Sequence, residues 1–296
     1  MNSSAGYEQI AKSFKDAATL PQMPTAALKL NQLLESDNAS PLEIEQAVIH
    51  DTALTAALLR TSTAAIYGRS DQPVTTVRTA IMRLGSKAVK ATSLSLWTQA
   101  LVSQTQGRSK LSAARFTDHS TFVGYLARYL FSCRMNRERF ATSWSPDEIM
   151  AAGVLHDLGI ALLAVVEPIS FDRVFNQAAV RNVPFSVKFL DIFGRSVADL
   201  GVAAVTAWGL DPLFGAVIGC LDDPQSHPNE SIAIACVHYA DRIAGQNKYG
   251  LFPFPVEPIC AFAEEEVGLP PEEVAKVVSL VAETMKEHEP KKRNAA

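Results

Sequence analysis

Apolar residues recur at spacings of three and four along almost the whole chain, and that period restricts the fold more than any other feature. Leu30, Leu33 and Leu34 show it, as do Ile44, Ala47 and Val48. So do Val77, Ala80, Ile81 and Leu84, and near the end Val274, Val277, Val278 and Val281. Residues spaced this way share one face of an α-helix. No run alternates apolar and polar residues as a half-buried strand would, so the chain is predicted to be all-α. The helix ends are marked too. Ser40-Pro41-Leu42-Glu43 and Ser145-Pro146-Asp147-Glu148 each read as a capping box with proline at the first helical position. Gly85 stands where a left-handed cap would end the helix carrying Leu84. Pro270-Pro271-Glu272-Glu273 opens the last long helix with acids at its positive end.

The 296 residues are 48% hydrophobic and 20% charged, enough apolar side chain for a sizeable core. Lys and Arg number 27 against 31 Asp and Glu, and the net charge of −4 speaks against a dedicated nucleic-acid binder. Cys133, Cys220, Cys236 and Cys260 form no CxxC pair, which points to free thiols in a reducing cytosol. The start, MNSSAGYEQI, lacks the basic flank and apolar run of a signal peptide. No apolar stretch is expected to approach the length of a membrane span, since the longest, Ile149 to Val166, is interrupted by His156 and Asp157. The expected location is cytoplasmic, with neither membrane nor nucleic acid as a partner.

Composition also divides the chain. Residues 1–19 read as an N-terminal helix or extension, and residues 20–102 as a subdomain of short helices separated by Pro, Gly and Asp. The polar stretch 103–110 reads as a connection. Residues 111–245 are richer in aromatic side chains and carry the histidines of interest. Residues 246–296 hold an arm, a helix and a frayed basic tail, Lys291-Lys292-Arg293-Asn294-Ala295-Ala296. Within the arm, Leu251 to Pro258 is too proline-rich for a regular helix and is expected to wrap the bundle as an extended segment. Trp97, Trp144 and Trp208 are expected to be core or interface anchors.

Among six histidines, His156 is the informative one, because Asp157 follows it at the edge of an apolar helix. Burying an imidazole and a carboxylate there is costly unless each has a partner. His119, beside an apolar helix face, and Asp241, in the mostly apolar segment Ala235 to Ala244, extend the set. Two imidazoles and two carboxylates make a four-ligand N/O set suited to one divalent transition metal such as Mn, Fe or Zn. Such a metal would lower the pKa of bound water. The other reading is an internal His–Asp hydrogen-bonded network with no metal. His238, three residues before Asp241, lies on the same helical side, and is read either as a partner in support of the site or as a histidine satisfied by its own hydrogen bonds beside it. His50-Asp51 is read as a helix start with Asp51 as N-cap and no metal role.

The order His119, His156-Asp157, Asp241 resembles the H…HD…D pattern of the HD metal-dependent phosphohydrolase superfamily. Other blocks resemble the HDOD family, the HD-related output domain of bacterial signalling proteins. These are Leu20-Pro21-Gln22-Met23-Pro24, Asp51-Thr52-Ala53-Leu54-Thr55 with Leu58-Leu59-Arg60 and Ile66-Tyr67-Gly68, Val74-Thr75-Thr76-Val77 leading to Leu84-Gly85, and Ala207-Trp208-Gly209-Leu210. The likeness makes residues 20–245 one HDOD-like domain, with 20–102 as its N-terminal subdomain and 111–245 as its HD-like subdomain. The fold it implies is a multi-helix HD-type bundle.

The departures bear on activity. Cyclic-dinucleotide phosphodiesterases of the superfamily continue HD-x-G-K, and here Ile160 takes the lysine position. Isoleucine cannot neutralise phosphate charge in a transition state. The stretches 195–201 and 219–224, where those relatives complete a second metal site, contain no histidine, and the GYP motif is absent. The resemblance therefore implies a regulatory protein acting through protein partners of a bacterial signalling pathway, and no catalytic residue is assigned. Two alternatives stand beside it. One is a single-metal phosphohydrolase acting on a nucleotide or phosphoester. The other is a nucleotide sensor that binds without cleaving. The upstream signal, output partner and oligomeric state are not written in the sequence.

Overall fold

The computed structural model describes residues 3–15, 20–21, 25–36, 39–64, 67, 74–137, 144–227 and 229–288. These form fifteen α-helices and no β-strand among the described residues. The chain divides into two compact units, one of residues 1–24 and 94–268, the other of residues 25–93 and 269–296. This grouping differs from the linear division expected above. Residues 1–19 and 246–268 fall with the histidine-bearing unit, and the last helix falls with the short N-terminal helices.

The smaller unit contains α2 (Thr25–Glu35), α3 (Pro41–Ile49), α4 (Thr52–Thr63), the first part of α5 (Val77–Ser103) and α15 (Pro271–His288). The capping box forms as expected: Ser40 Oγ accepts from the Glu43 amide, and the Glu43 carboxylate accepts from the Ser40 amide at 2.9 Å. Asp51 caps α4, accepting from the Leu54 amide at 2.9 Å. Each bond meets an amide that the first helical turn would otherwise leave without a partner. Gly85 has positive φ, 79°, but its ψ of 166° makes a kink rather than a terminal cap, and the helix resumes to Ser103. Leu30, Val48, Leu58 and Val281 are buried, as the helical period requires.

The larger unit opens with α1 (Ser3–Lys15) and holds the end of α5. It continues with α6 (Ala113–Arg137), α7 (Pro146–Leu155), α8 (Leu158–Val166) and α9 (Pro168–Arg181). It is completed by α10 (Phe185–Phe193), α11 (Ala198–Ala207), α12 (Pro212–Cys220), α13 (Ser231–Gln246) and α14 (Ala261–Val267). Its centre is α6, against which α7 and α13 pack. The α6–α7 approach is close enough that a Cβ on Gly153 would stand 2.9 Å from the Gly124 Cα. Ser145 builds the second capping box with Glu148. Trp97 and Trp208 meet edge to face, 4.8 Å between centroids, and the Trp144 indole donates to Glu230. All four cysteines are free thiols.

One expectation is corrected. Pro146–Val166 spans 21 residues with mean hydropathy 2.1, which does reach the length and composition of a membrane-crossing segment. His156 and Asp157 split it into α7 and α8, and 89% of its most apolar 18-residue stretch is buried in the fold. Its apolar character is that of a helix pair surrounded by other helices. Residues 22–24 of the Leu20–Pro24 block, Ile66 and Gly68, and the basic tail 291–296 lie outside the described residues.

Candidate metal centre

His156 is the C-cap of α7 and Asp157 the N-cap of α8, with φ −96° and ψ 20° at the aspartate. In a continuous helix adjacent side chains diverge by roughly 100°. The break between the two helices lets both turn toward one point. His119 reaches that point from the second turn of α6, and Asp241 from α13.

All four predicted ligands converge. His119 Nε2 lies 3.1 Å from His156 Nε2, 3.3 Å from Asp157 Oδ2 and 3.4 Å from Asp241 Oδ1. His156 Nε2 lies 3.3 Å and 3.6 Å from the same two oxygens. The imidazoles are buried, while the Asp157 and Asp241 side chains keep 16% and 14% of their surface exposed, so the cluster opens on its carboxylate side.

The outer ring nitrogens fix what the inner ones can do. His119 Nδ1 donates to the Tyr249 carbonyl at 2.9 Å and His156 Nδ1 to the Gly153 carbonyl at 2.7 Å. A carbonyl only accepts, so both protons of the neutral rings sit on Nδ1. Both Nε2 atoms then present lone pairs to each other and to two carboxylate oxygens. Four acceptors aimed at one point repel unless a cation lies among them. A bound proton is one solution and a divalent metal is another. Metal bonds of about 2.0–2.2 Å would set neighbouring ligand atoms about 3–3.5 Å apart; His119, His156 and Asp157 form the tight group, and Asp241 Oδ1 stands 3.4 Å and 3.6 Å from the two imidazoles. The donor set fits a borderline N/O metal, with both imidazoles oriented by backbone carbonyls as metal-binding histidines are.

Charge follows the same logic. Burial pushes the His119 imidazole down, but hydrogen bonds to Asp157 and Asp241 more than reverse this and bring it up to about 9. His156 is likewise opposed by burial and carried well above its ordinary value by the Asp157 and Asp241 carboxylates. Burial raises Asp157, and the neighbouring imidazoles, His156 first, outweigh it and hold the carboxyl below its usual range. Burial also raises Asp241, and His119, His156 and Arg242 together hold it well below. When no metal is bound, a proton held between the imidazoles and the carboxylates takes the cation's place.

A pH dependence follows for chelator-treated protein. The His119 value is raised on folding, so its contribution to stability is complete below about pH 6.5 and is lost as pH rises through about 9. The carboxylates act oppositely and matter only in acid, where their depressed values are crossed. The urea midpoint of wild type minus that of His119→Gln is expected to shrink between pH 7 and pH 10. A difference that stays level over that range would contradict the assignment.

His238 does not join the cluster. Its Nδ1 donates to the Leu221 carbonyl at 2.7 Å and its Nε2 accepts from the Cys260 amide at 3.1 Å. It ties the end of α12 to the start of α14, a structural bridge with both ring nitrogens used. Arg242, next to Asp241 in sequence, takes the supporting position instead. Arg242 Nη1 donates to Asp241 Oδ2 at 2.5 Å, leaving Oδ1 for the imidazoles. Nothing in the helical period marked that contact, although Arg242 directly follows Asp241.

The cluster forms the floor of a cavity of about 110 Å3. Ile160 lines it, as do Phe185, Phe252 and Phe254. The segment 251–258 is non-helical, as its prolines required, and crosses one side of the cavity as a strap. Asp222 and Glu257 bring its carboxylates to four with Asp157 and Asp241, and Arg242 is the lining residue with a Lys or Arg charge among the described residues.

The HDOD domain family model matches residues 20–224 of this chain. No curated protein matches it. Among solved structures, an HDOD domain protein of Geobacter sulfurreducens is similar at 19% identity and a TM-score of 0.71, covering 92% of this chain and 94% of that one. A Shewanella amazonensis protein, provisionally named a metal-dependent phosphohydrolase, is similar at 15% identity and a TM-score of 0.68, covering 96% and 99%. A Marinobacter aquaeolei protein, provisionally named a signal transduction protein, is similar at 18% identity and a TM-score of 0.65, covering 97% of this chain and 65% of that one. At these identities the likeness is one of fold.

Proposed function

This chain belongs to the HDOD domain family, and from that premise we propose that it is a regulatory protein of bacterial signal transduction whose His–Asp cluster holds one divalent cation without cleaving phosphoesters. When bound, the cation would neutralise the cluster and could polarise a water molecule. His119, His156, Asp157 and Asp241 would hold it. The Tyr249 and Gly153 carbonyls orient the two imidazoles, and Arg242 turns one oxygen of Asp241 inward.

The observation that carries the non-hydrolytic reading is the charge of the cavity. Four carboxylates line it, and its guanidinium is already engaged with three of them, Asp241, Asp222 and Glu257. Even with a divalent cation in place, negative charge remains in excess. A phosphoryl group gaining charge in a transition state needs positive groups free to receive it. Ile160 lines the cavity, 7% exposed, where relatives that cleave cyclic dinucleotides place a lysine. Output through protein contacts is then the natural use of the fold.

The alternative of a single-metal phosphohydrolase is favoured by the intact four-residue set, and one experiment separates the two. Mn2+-loaded protein is incubated with a panel of phosphomonoesters, nucleotides and cyclic dinucleotides. We expect turnover no greater than that of the Asp157→Asn variant. Turnover of any member that is lost in that variant would replace the regulatory reading with the enzymatic one.

A further inference from the structure

Arg242 is a buried guanidinium shared among three segments of the fold. Its Nη1 holds Asp241 Oδ2 on α13, and its Nη2 donates to Asp222 Oδ1, beyond α12, at 2.5 Å. The same Nη2 reaches Glu257 Oε2, on the strap, at the longer distance of 3.3 Å. Its Nε is buried and has no hydrogen-bond partner among the described residues. A buried donor left unmet costs free energy. A guanidinium with one spare donor and one long contact has a second arrangement within reach.

The strap it touches is seated through side-chain packing. Val256 rests on α13 at Gly245, where a Cβ would stand 2.3 Å from the valine Cγ1. Phe252 stacks on Phe185 with 5.0 Å between centroids, and Phe254 lies 5.1 Å from Phe175. Pro253 and Pro258 are exposed, and Val256, although it rests on Gly245, keeps 37% of its surface exposed. The segment therefore lines the cavity on one side and presents a surface on the other.

We propose that Arg242 is a positioning residue that couples cation occupancy of the cluster to closure of the strap. The inference rests on the reading that the cluster holds a divalent cation. A divalent cation in place of the proton held by the cluster would raise the positive charge beside Asp241 and so weaken that carboxylate's hold on the guanidinium at Oδ2. The guanidinium then shifts its hold toward its remaining carboxylates. Asp222 is already close, so the contact with room to shorten is Glu257. Shortening it draws the strap onto α13. By reciprocity, a closed strap tightens the cation. The exposed side of the strap thereby reports the state of the buried cluster, which gives a regulatory protein a route from site to surface.

Amide hydrogen exchange over residues 246–260 of the full chain tests this, with and without Mn2+, in wild type, Glu257→Gln and Arg242→Gln. Mn2+ is expected to slow exchange in wild type by at least about fivefold, the low end of ordinary coupling. Glu257→Gln is expected to bind one Mn2+ still, about fivefold more weakly, and to lose most of the slowing. Arg242→Gln should lose the slowing as well. If it does not fold, Glu257→Gln alone decides, since Glu257 lies on the strap and holds no cation. A residue that merely braced the strap would change exchange equally with and without Mn2+, and that pattern overturns the proposal. So does Mn2+ uptake by wild type with unchanged exchange. Absence of any Mn2+ uptake by wild type removes the cation reading itself, and the coupling with it.

Discussion

Replacing His156 with alanine is expected to weaken Mn2+ binding by about 100-fold or more. The side chain has no exposed surface, and its Nε2 is the neighbour shared by His119, Asp157 and Asp241. Partners that only orient a metal ligand cost about 10–100-fold when removed, and a ligand costs at least the upper end. Alanine also leaves space beside two carboxylates that the imidazoles hold in their charged form. The loss is therefore both of a donor and of the arrangement of the others. Calorimetric titration of the variant beside wild type measures it. An affinity within tenfold of wild type would mean that the cation sits elsewhere.

The second large effect is on stability. Gly159→Ala is expected to destabilise the larger unit by about 3 kcal/mol, the upper part of the usual cost of overpacking. The added Cβ would stand 2.3 Å from the Val197 carbonyl oxygen and 3.1 Å from the Gly201 amide nitrogen. Both are backbone atoms, so no side chain can rotate away, and α8 must part from α11. Asp157 lies two residues before this contact, so Mn2+ binding should weaken along with it. At about 2–4 °C per kcal/mol for chains of this size, the melting temperature should fall by roughly 6–12 °C. Gly215→Ala is the control. Its Cβ would meet nothing nearer than a Val205 methyl at 3.8 Å, and alanine is the better helix former. A Gly159→Ala protein that melts within about 2 °C of wild type would show that the two helices can separate without cost.

The helices and their starts were legible because their signals are local. Ser40 with Glu43, Asp51 with Leu54, and Ser145 with Glu148 each make their bonds within one turn. The four cluster residues were legible because imidazoles and carboxylates in apolar helices demand partners, and they proved to be one another's. What was missed is what leaves no periodic or compositional trace. The carbonyls of Tyr249 and Gly153 that orient the imidazoles belong to every residue alike. Arg242 stood beside Asp241 in plain view, but its bridge to Asp222 and Glu257 depends on where a turn and a strap return. His238 was placed on the correct side of α13, yet its partners come from Leu221 and Cys260. Period and caps locate helices along the chain, while their grouping depends on contacts between residues far apart in sequence.

The claim on which the rest depends is that four acceptor atoms meet around a single cation. Titrating chelator-treated wild-type protein with Mn2+ at pH 7, followed by calorimetry and by the spectrum of free Mn2+, measures this directly. One saturable Mn2+ per chain is the predicted result. No saturable uptake at millimolar Mn2+, or two equivalent ions per chain, would contradict it.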